Sequence, residues 1–146
     1  LAAILALLNS KLLEWYFRLG SSNAMINDYQ VRTLPAPNID LKGPKSETTG
    51  FIEALEKPDI EAAFSAVEPL LESAPFPPSL LVCLSDLTER ISKVEAHRGN
   101  ILRSERSSLA PEEQPYQDLI DRILYRAAGL TDAEAAALER RLKEML

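Results

Sequence analysis

Prolines set the length of every regular segment this chain can form. Ten of them occur in 146 residues, and most gather at Pro35–Pro37, Pro75–Pro78 and Pro111–Pro115. A proline donates no backbone hydrogen bond and fixes its own φ. It therefore ends a helix or a strand ladder, or sits in a first helical turn. The fold has to be assembled from short pieces between these breaks, and the apolar spacing within most of the pieces is helical.

Leu1 to Leu19 predicts one helix, with Ile4, Leu8, Leu12, Trp15 and Leu19 recurring at steps of three and four. Leu5, Leu13, Tyr16 and Phe17 widen the apolar surface, which predicts burial on more than one side. Gly20 suits the helix end. Ile26 to Leu34 alternates, with Tyr29, Val31 and Thr33 opposite Asp28, Gln30 and Arg32, the pattern of a half-buried strand. Asn38 to Gly50 is polar and aperiodic and reads as a linker. A short helix over Phe51–Glu56 follows. A second opens at Pro58 or Asp59 and is bent or restarted at Pro69. Ser79 is the expected N-cap of the next helix, in which Leu80, Leu84, Leu87, Ile91 and Val94 form a seam resembling a short coiled coil, best used for packing within the chain.

Tyr116, Leu119, Ile120, Ile123, Leu124 and Ala127 form a further helical stripe, closed by Gly129. Thr131 and Glu134 then have the spacing of a capping box, and Leu138, Leu142 and Met145 mark the inner face of the last helix. The expected fold class is mainly α, with one short β element near residues 26–34. The expected organisation is residues 1–37, a linker at 38–50 and a helical tail at 51–146.

The charge is uneven. The whole chain carries −6, of which residues 1–50 hold +1 and residues 51–146 hold −7. Nucleic-acid affinity rests largely on neutralising phosphates, so any DNA contact is expected from the first 50 residues. The opening apolar run, LAAILALL, is far shorter than the roughly 20 residues a membrane helix needs. It also lacks the basic leader and cleavage site of a signal peptide. One cysteine, Cys83, excludes an internal disulfide and a zinc cluster, and the expected compartment is the cytoplasm. A chain that opens on Leu1, inside an apolar run, has the character of a piece of a longer protein.

Two stretches carry a resemblance. Ile4 to Pro37 contains ALLNSKLLEWYFR, GSSN, INDYQ and LPAP in that order, and Leu119 to Glu139 reads LIDRILYRAAGLTDAEAAALE. Together they resemble the end of the target-recognition domain and the C-terminal helices of TaqI-like and Eco57I-like DNA adenine-N6 methyltransferases, enzymes of restriction-modification and related defence systems. Leu84 to Val94 suits the helix that usually precedes that ending. Arg126-Ala127-Ala128 departs from the pattern, where a bulky pair is commoner, and Asn38 to Pro78 matches nothing in it. The resemblance implies a parent whose separate catalytic domain binds S-adenosylmethionine and carries an Asn-Pro-Pro-Tyr motif. Neither that motif nor a glycine-rich cofactor loop occurs in this chain, so catalysis is not expected of it.

Lys11 and Arg18 fit phosphate contacts, which position a protein without reading sequence. Asn23 and Asn27 suit either their own turn or the N6 and N7 edge of adenine. Gln30 and Arg32 share the polar face of the expected strand and are further DNA candidates. Ser21 and Ser22 are assigned to the local turn, and Trp15, Tyr16 and Phe17 to packing. His97 reads as a surface residue and Cys83 as a buried packing thiol. Asp118, Asp121, Glu134 and Glu139 are accounted for by helix capping and solvation. The expected function is DNA recognition and scaffolding within a site-specific adenine methyltransferase. Its partners are double-stranded DNA, through the parent, and the upstream methyltransferase domain. The alternative is an acidic helical module for protein–protein interaction or homo-oligomer formation.

Overall fold

The computed structural model describes residues 1–20, 32, 48–73, 76–97 and 111–145. Seven helices fill most of them: α1 (Ala2–Leu8), α2 (Lys11–Gly20), α3 (Thr49–Glu56), α4 (Ile60–Ser73), α5 (Pro78–His97), α6 (Gln114–Ala127) and α7 (Asp132–Met145). No strand occurs among the described residues. The expected β element at 26–34 is therefore not found. Arg32, the part of it that is described, is helical, and the rest lies outside the described residues.

The expected single helix over Leu1–Leu19 is two. Asn9 and Ser10 break it because their side chains take over the local backbone bonding. Asn9 Nδ2 donates to the Leu5 carbonyl at 2.9 Å, and Ser10 Oγ donates to the Leu7 carbonyl at 2.7 Å. Ser10 Oγ also accepts the Leu13 N–H at 3.3 Å, which makes Ser10 the N-cap of α2. The break lets the two helices take different neighbours: α1 lies along α5, whereas α2 rests on α6 and α7.

The main core lies between α3, α4, α5 and α6. Phe51, Leu55, Val67, Leu84, Leu87, Ile123 and Leu124 are fully buried there, and α1 adds Ala3 and Ala6. Two alanines facing α5 permit close approach of the helix backbones, so residues 1–20 share a core with the later helices. The seam of α5 is spent inside the chain. Leu80, Leu84 and Leu87 are buried and Ile91 packs against the same cluster. A second, smaller cluster joins Tyr125, Leu138 and Leu142 to Leu12, Trp15 and Leu130.

Several element ends follow their sequence signals. Gly129 has φ +80, and the Leu130 and Gly129 N–H groups donate to the Tyr125 and Arg126 carbonyls, both at 3.0 Å. That is a Schellman terminus, completed by the contact of Leu130 with the Tyr125 cluster. Thr131 and Glu134 form a reciprocal capping box, with the Thr131 N–H donating to Glu134 Oε2 at 2.7 Å and the Glu134 N–H to Thr131 Oγ1 at 3.2 Å. Asp59 Oδ1 accepts the Ala62 N–H at 3.0 Å at the start of α4.

Three local expectations are corrected. Pro69 does not restart a helix: α4 continues through it. The carbonyl of Ser65, which loses its donor there, belongs to an exposed residue and can bond water. Ser79 is not the cap of α5, because Pro78 already occupies the first helical position and Ser79 is buried behind it. Met145 is exposed rather than on the inner face of α7.

Candidate functional site

The densest polar arrangement sits where α2 meets α6 and α7. Asp121 stands on the buried side of α6 and is 2% exposed. Its Oδ1 accepts the backbone N–H of Lys11 at 2.8 Å, so a carboxylate from another helix satisfies one of the orphan donors that open α2. Oδ2 has no hydrogen-bond partner. Lys11 Nζ reaches Glu139 Oε1 at 3.2 Å, and Tyr125 OH donates to the same oxygen at 3.2 Å. Gln117 Nε2 donates to the Asn9 carbonyl at 3.3 Å, tying the break between α1 and α2 to α6.

The electrostatics follow from burial. Desolvation pushes the Asp121 carboxyl up to about 6, against the opposing pull of the Lys11 amide and ammonium. Tyr125 is also pushed up, first by burial and then by the charges of Asp121 and Glu139. Burial pulls Lys11 down, but the bond and charge of Glu139 more than offset it, and the ammonium is held above its ordinary value.

Two grooves flank this joint. One, of about 510 Å³, lies between α4, α6 and α7 and is lined by Phe64, Arg122, Tyr125, Arg126 and Glu139. Its cations are committed to neighbours: Arg122 stacks 3.8 Å from the Phe64 ring centroid and pairs with Glu61 at 2.9 Å, and Arg126 pairs with Glu68 at 2.9 Å. The other, of about 550 Å³, lies between α1, α5 and α6, with Leu5, Asn9, Ile91, Gln117 and Asp121 in its walls. Among the described residues no group of three or more His, Cys, Asp or Glu is placed to hold a metal ion.

Comparison of the chain with protein-family models, with curated proteins and with solved structures found no match.

Of the candidate DNA-contacting residues, Lys11 points into the joint and is half-buried there. Arg18 lies on the exposed side of α2, with Nε and Nη2 both on Glu14 Oε1 at 3.0 and 2.8 Å. Arg32 is exposed. Asn23, Asn27 and Gln30 lie outside the described residues. Cys83 is fully buried, and desolvation pushes its thiol up to about 12, the state of an unreactive packing residue. Sequence reasoning assigned Asp121 and Glu139 to capping and solvation on their own helices and missed that they meet Lys11. One signal was available, since Asp121 interrupts an apolar stripe between Ile120 and Ile123.

Among the described residues, the first two helices also present an exposed apolar surface. Leu1, Ile4, Leu5 and Leu8 are 92%, 55%, 42% and 46% exposed, and their spacing places them on one face of α1, opposite Ala3 and Ala6. Tyr16 and Leu19 are exposed on α2. Among the described residues, the expectation of burial on more than one side is thus not met for α1, although Leu12 and Trp15 of α2 pack into the second cluster. The inner side of α1 meets α5 through alanines, and Ile4, Leu5 and Leu8 face outwards. Among the described residues no helix is long and apolar enough to cross a membrane.

Proposed function

We propose that this chain is a helical docking and scaffolding segment of a site-specific DNA adenine methyltransferase, holding the parent's target-recognition domain. The supporting observation is the outward apolar face of α1. A charge-free helix of sequence AAILALL, with small residues turned inwards and Ile4, Leu5 and Leu8 turned outwards, has the pattern of a surface that another protein surface covers. The parent class rests on the resemblance of Ile4–Pro37 and Leu119–Glu139. In this reading Lys11 and Arg18, which also pair with Glu139 and Glu14, are the phosphate contacts, and Asn23, Asn27, Gln30 and Arg32 are the remaining candidates for DNA contact. S-adenosylmethionine belongs to the separate catalytic domain in this reading.

A second reading, an acidic interaction module or homo-oligomer, draws on the same face together with the net charge of −6. Sequencing the source gene upstream of Leu1 separates the two. A reading frame that continues into an Asn-Pro-Pro-Tyr domain is the expected result, and Asn23→Ala with Asn27→Ala should then lower DNA affinity or methylation rate in that protein. A start codon adjacent to Leu1 would sink the methyltransferase reading. Concentration-dependent association in sedimentation, without duplex binding at low salt, would then support the interaction module.

A further inference from the structure

Asp121 sits under the hinge between the first two helices, and its surroundings are one-sided. One carboxylate oxygen receives the amide that opens α2, the Gln117 side chain adds a weaker pull on the group, and the second oxygen is buried with no hydrogen bond of good geometry. The charged groups that face it are few. α2 contributes Lys11, whose ammonium is shared with Glu139 of α7. α6 contributes the phenol of Tyr125, and α7 the repelling carboxylate of Glu139. α1 carries no charged side chain, and α5 turns Thr88 and Ser92 towards the adjoining groove. α4 sends Glu61 and Glu68 to Arg122 and Arg126 instead.

We propose that Asp121 is a proton-operated latch that holds the start of α2 more firmly on α6 in mildly acid than in neutral solution. Two states of the hinge differ in what they offer this group. With α2 docked, Asp121 is buried and short of donors. With α2 lifted, it meets water, which hydrates the ionised form freely. The docked state therefore binds the proton more tightly, consistent with a carboxyl pushed up to about 6 from an ordinary value of 3.8. A group whose proton affinity is raised in one state stabilises that state below the ordinary value and loses the effect as pH rises through the raised one. The latch weakens as pH rises from about 4 through about 6, and little of it remains at neutral pH. The helix it holds follows directly on α1, which carries the exposed face of Ile4 and Leu8.

The test is amide hydrogen exchange on the intact chain at pH 5.5 and 7.5, both above the sequence pI of about 4.9, with protection corrected for intrinsic exchange. The Lys11 and Leu13 amides should lose about fourfold in protection on going to pH 7.5, the change expected when the two states differ by these affinities. Val67 in α4 should not change in step. Asp121→Asn keeps the shape and the acceptor for the Lys11 amide, and should flatten the pH dependence. His97, the single histidine, is common to both proteins and cancels in the comparison. An equal loss in Asp121→Asn, an equal loss at Val67, or no loss at all overturns the latch. Should the variant fail to fold, the carboxyl carbon resonance of Asp121 in the unaltered chain decides. A midpoint near 6 supports the latch, and one at 4 or below removes it.

Discussion

Helix α1 offers a test in which the usual expectations for large and small apolar residues are reversed. Ala6 is 3% exposed and faces α5, whereas Leu8, two residues on, is 46% exposed. Ala6→Leu adds three carbons where two helices approach closely, and overpacking of this kind costs about 2 kcal/mol. In a domain of this size that corresponds to roughly 6 °C in Tm. Leu8→Lys removes a larger apolar side chain but takes it from solvent and places a cation in the last turn of α1, so stability should stay within about 0.5 kcal/mol. Urea and thermal unfolding followed by circular dichroism measure both. If α1 peels away in Ala6→Leu instead of destabilising the whole, the urea slope should fall, because less surface remains to be exposed. A neutral Ala6→Leu beside a Leu8→Lys that loses 2 kcal/mol or more would mean that α1 presents its other face to α5. The docking surface proposed above would then be wrong as well.

Tyr125→Phe removes the phenol from Glu139 Oε1 while leaving Lys11 in place. A loss of about 1 kcal/mol in urea unfolding is expected, and a gain in stability would show that the hydroxyl is not bonded there. Thr131→Ala should cost about 1 kcal/mol by breaking the capping box. The Thr131 backbone N–H holds Glu134 below its ordinary value, so that part of the stability should be present at neutral pH and disappear as acid protonates Glu134. Glu134→Gln should lack that acid dependence. Cys83, with its thiol pushed up to about 12, should resist a thiol reagent in the folded chain and react at the rate of unfolding. Rapid labelling under native conditions would contradict its burial.

The helices of the second half were legible because their signals are local. Thr131 and Glu134 sit three residues apart, Gly129 supplies the one backbone conformation a Schellman end requires, and the Leu119–Ala127 stripe has no competing pattern. The opening segment misled for the converse reason. Its periodicity runs unbroken across Asn9 and Ser10, and nothing local shows that these two side chains capture the backbone and that Asp121, 110 positions on, caps the second helix. Width of apolar surface does not fix depth of burial: Ile4 and Leu8 belong to a helix whose inner face is alanine. The polar joint was half visible. Lys11, Asp121 and Glu139 carry readings of their own and Tyr125 and Gln117 none, and a sequence does not state that Lys11 and Glu139 are neighbours.

That neighbourhood has a kinetic consequence. Lys11 and Glu139 are separated by 128 positions, whereas most of the other helix contacts link segments closer along the chain. The loop between them must close before α2 and α7 gain anything from each other, and the entropy of closing it is lost in advance. The α3–α6 core can form first and bring the two ends within reach. The α2–α7 seam should then be the last part of the molecule to assemble and the first to come apart.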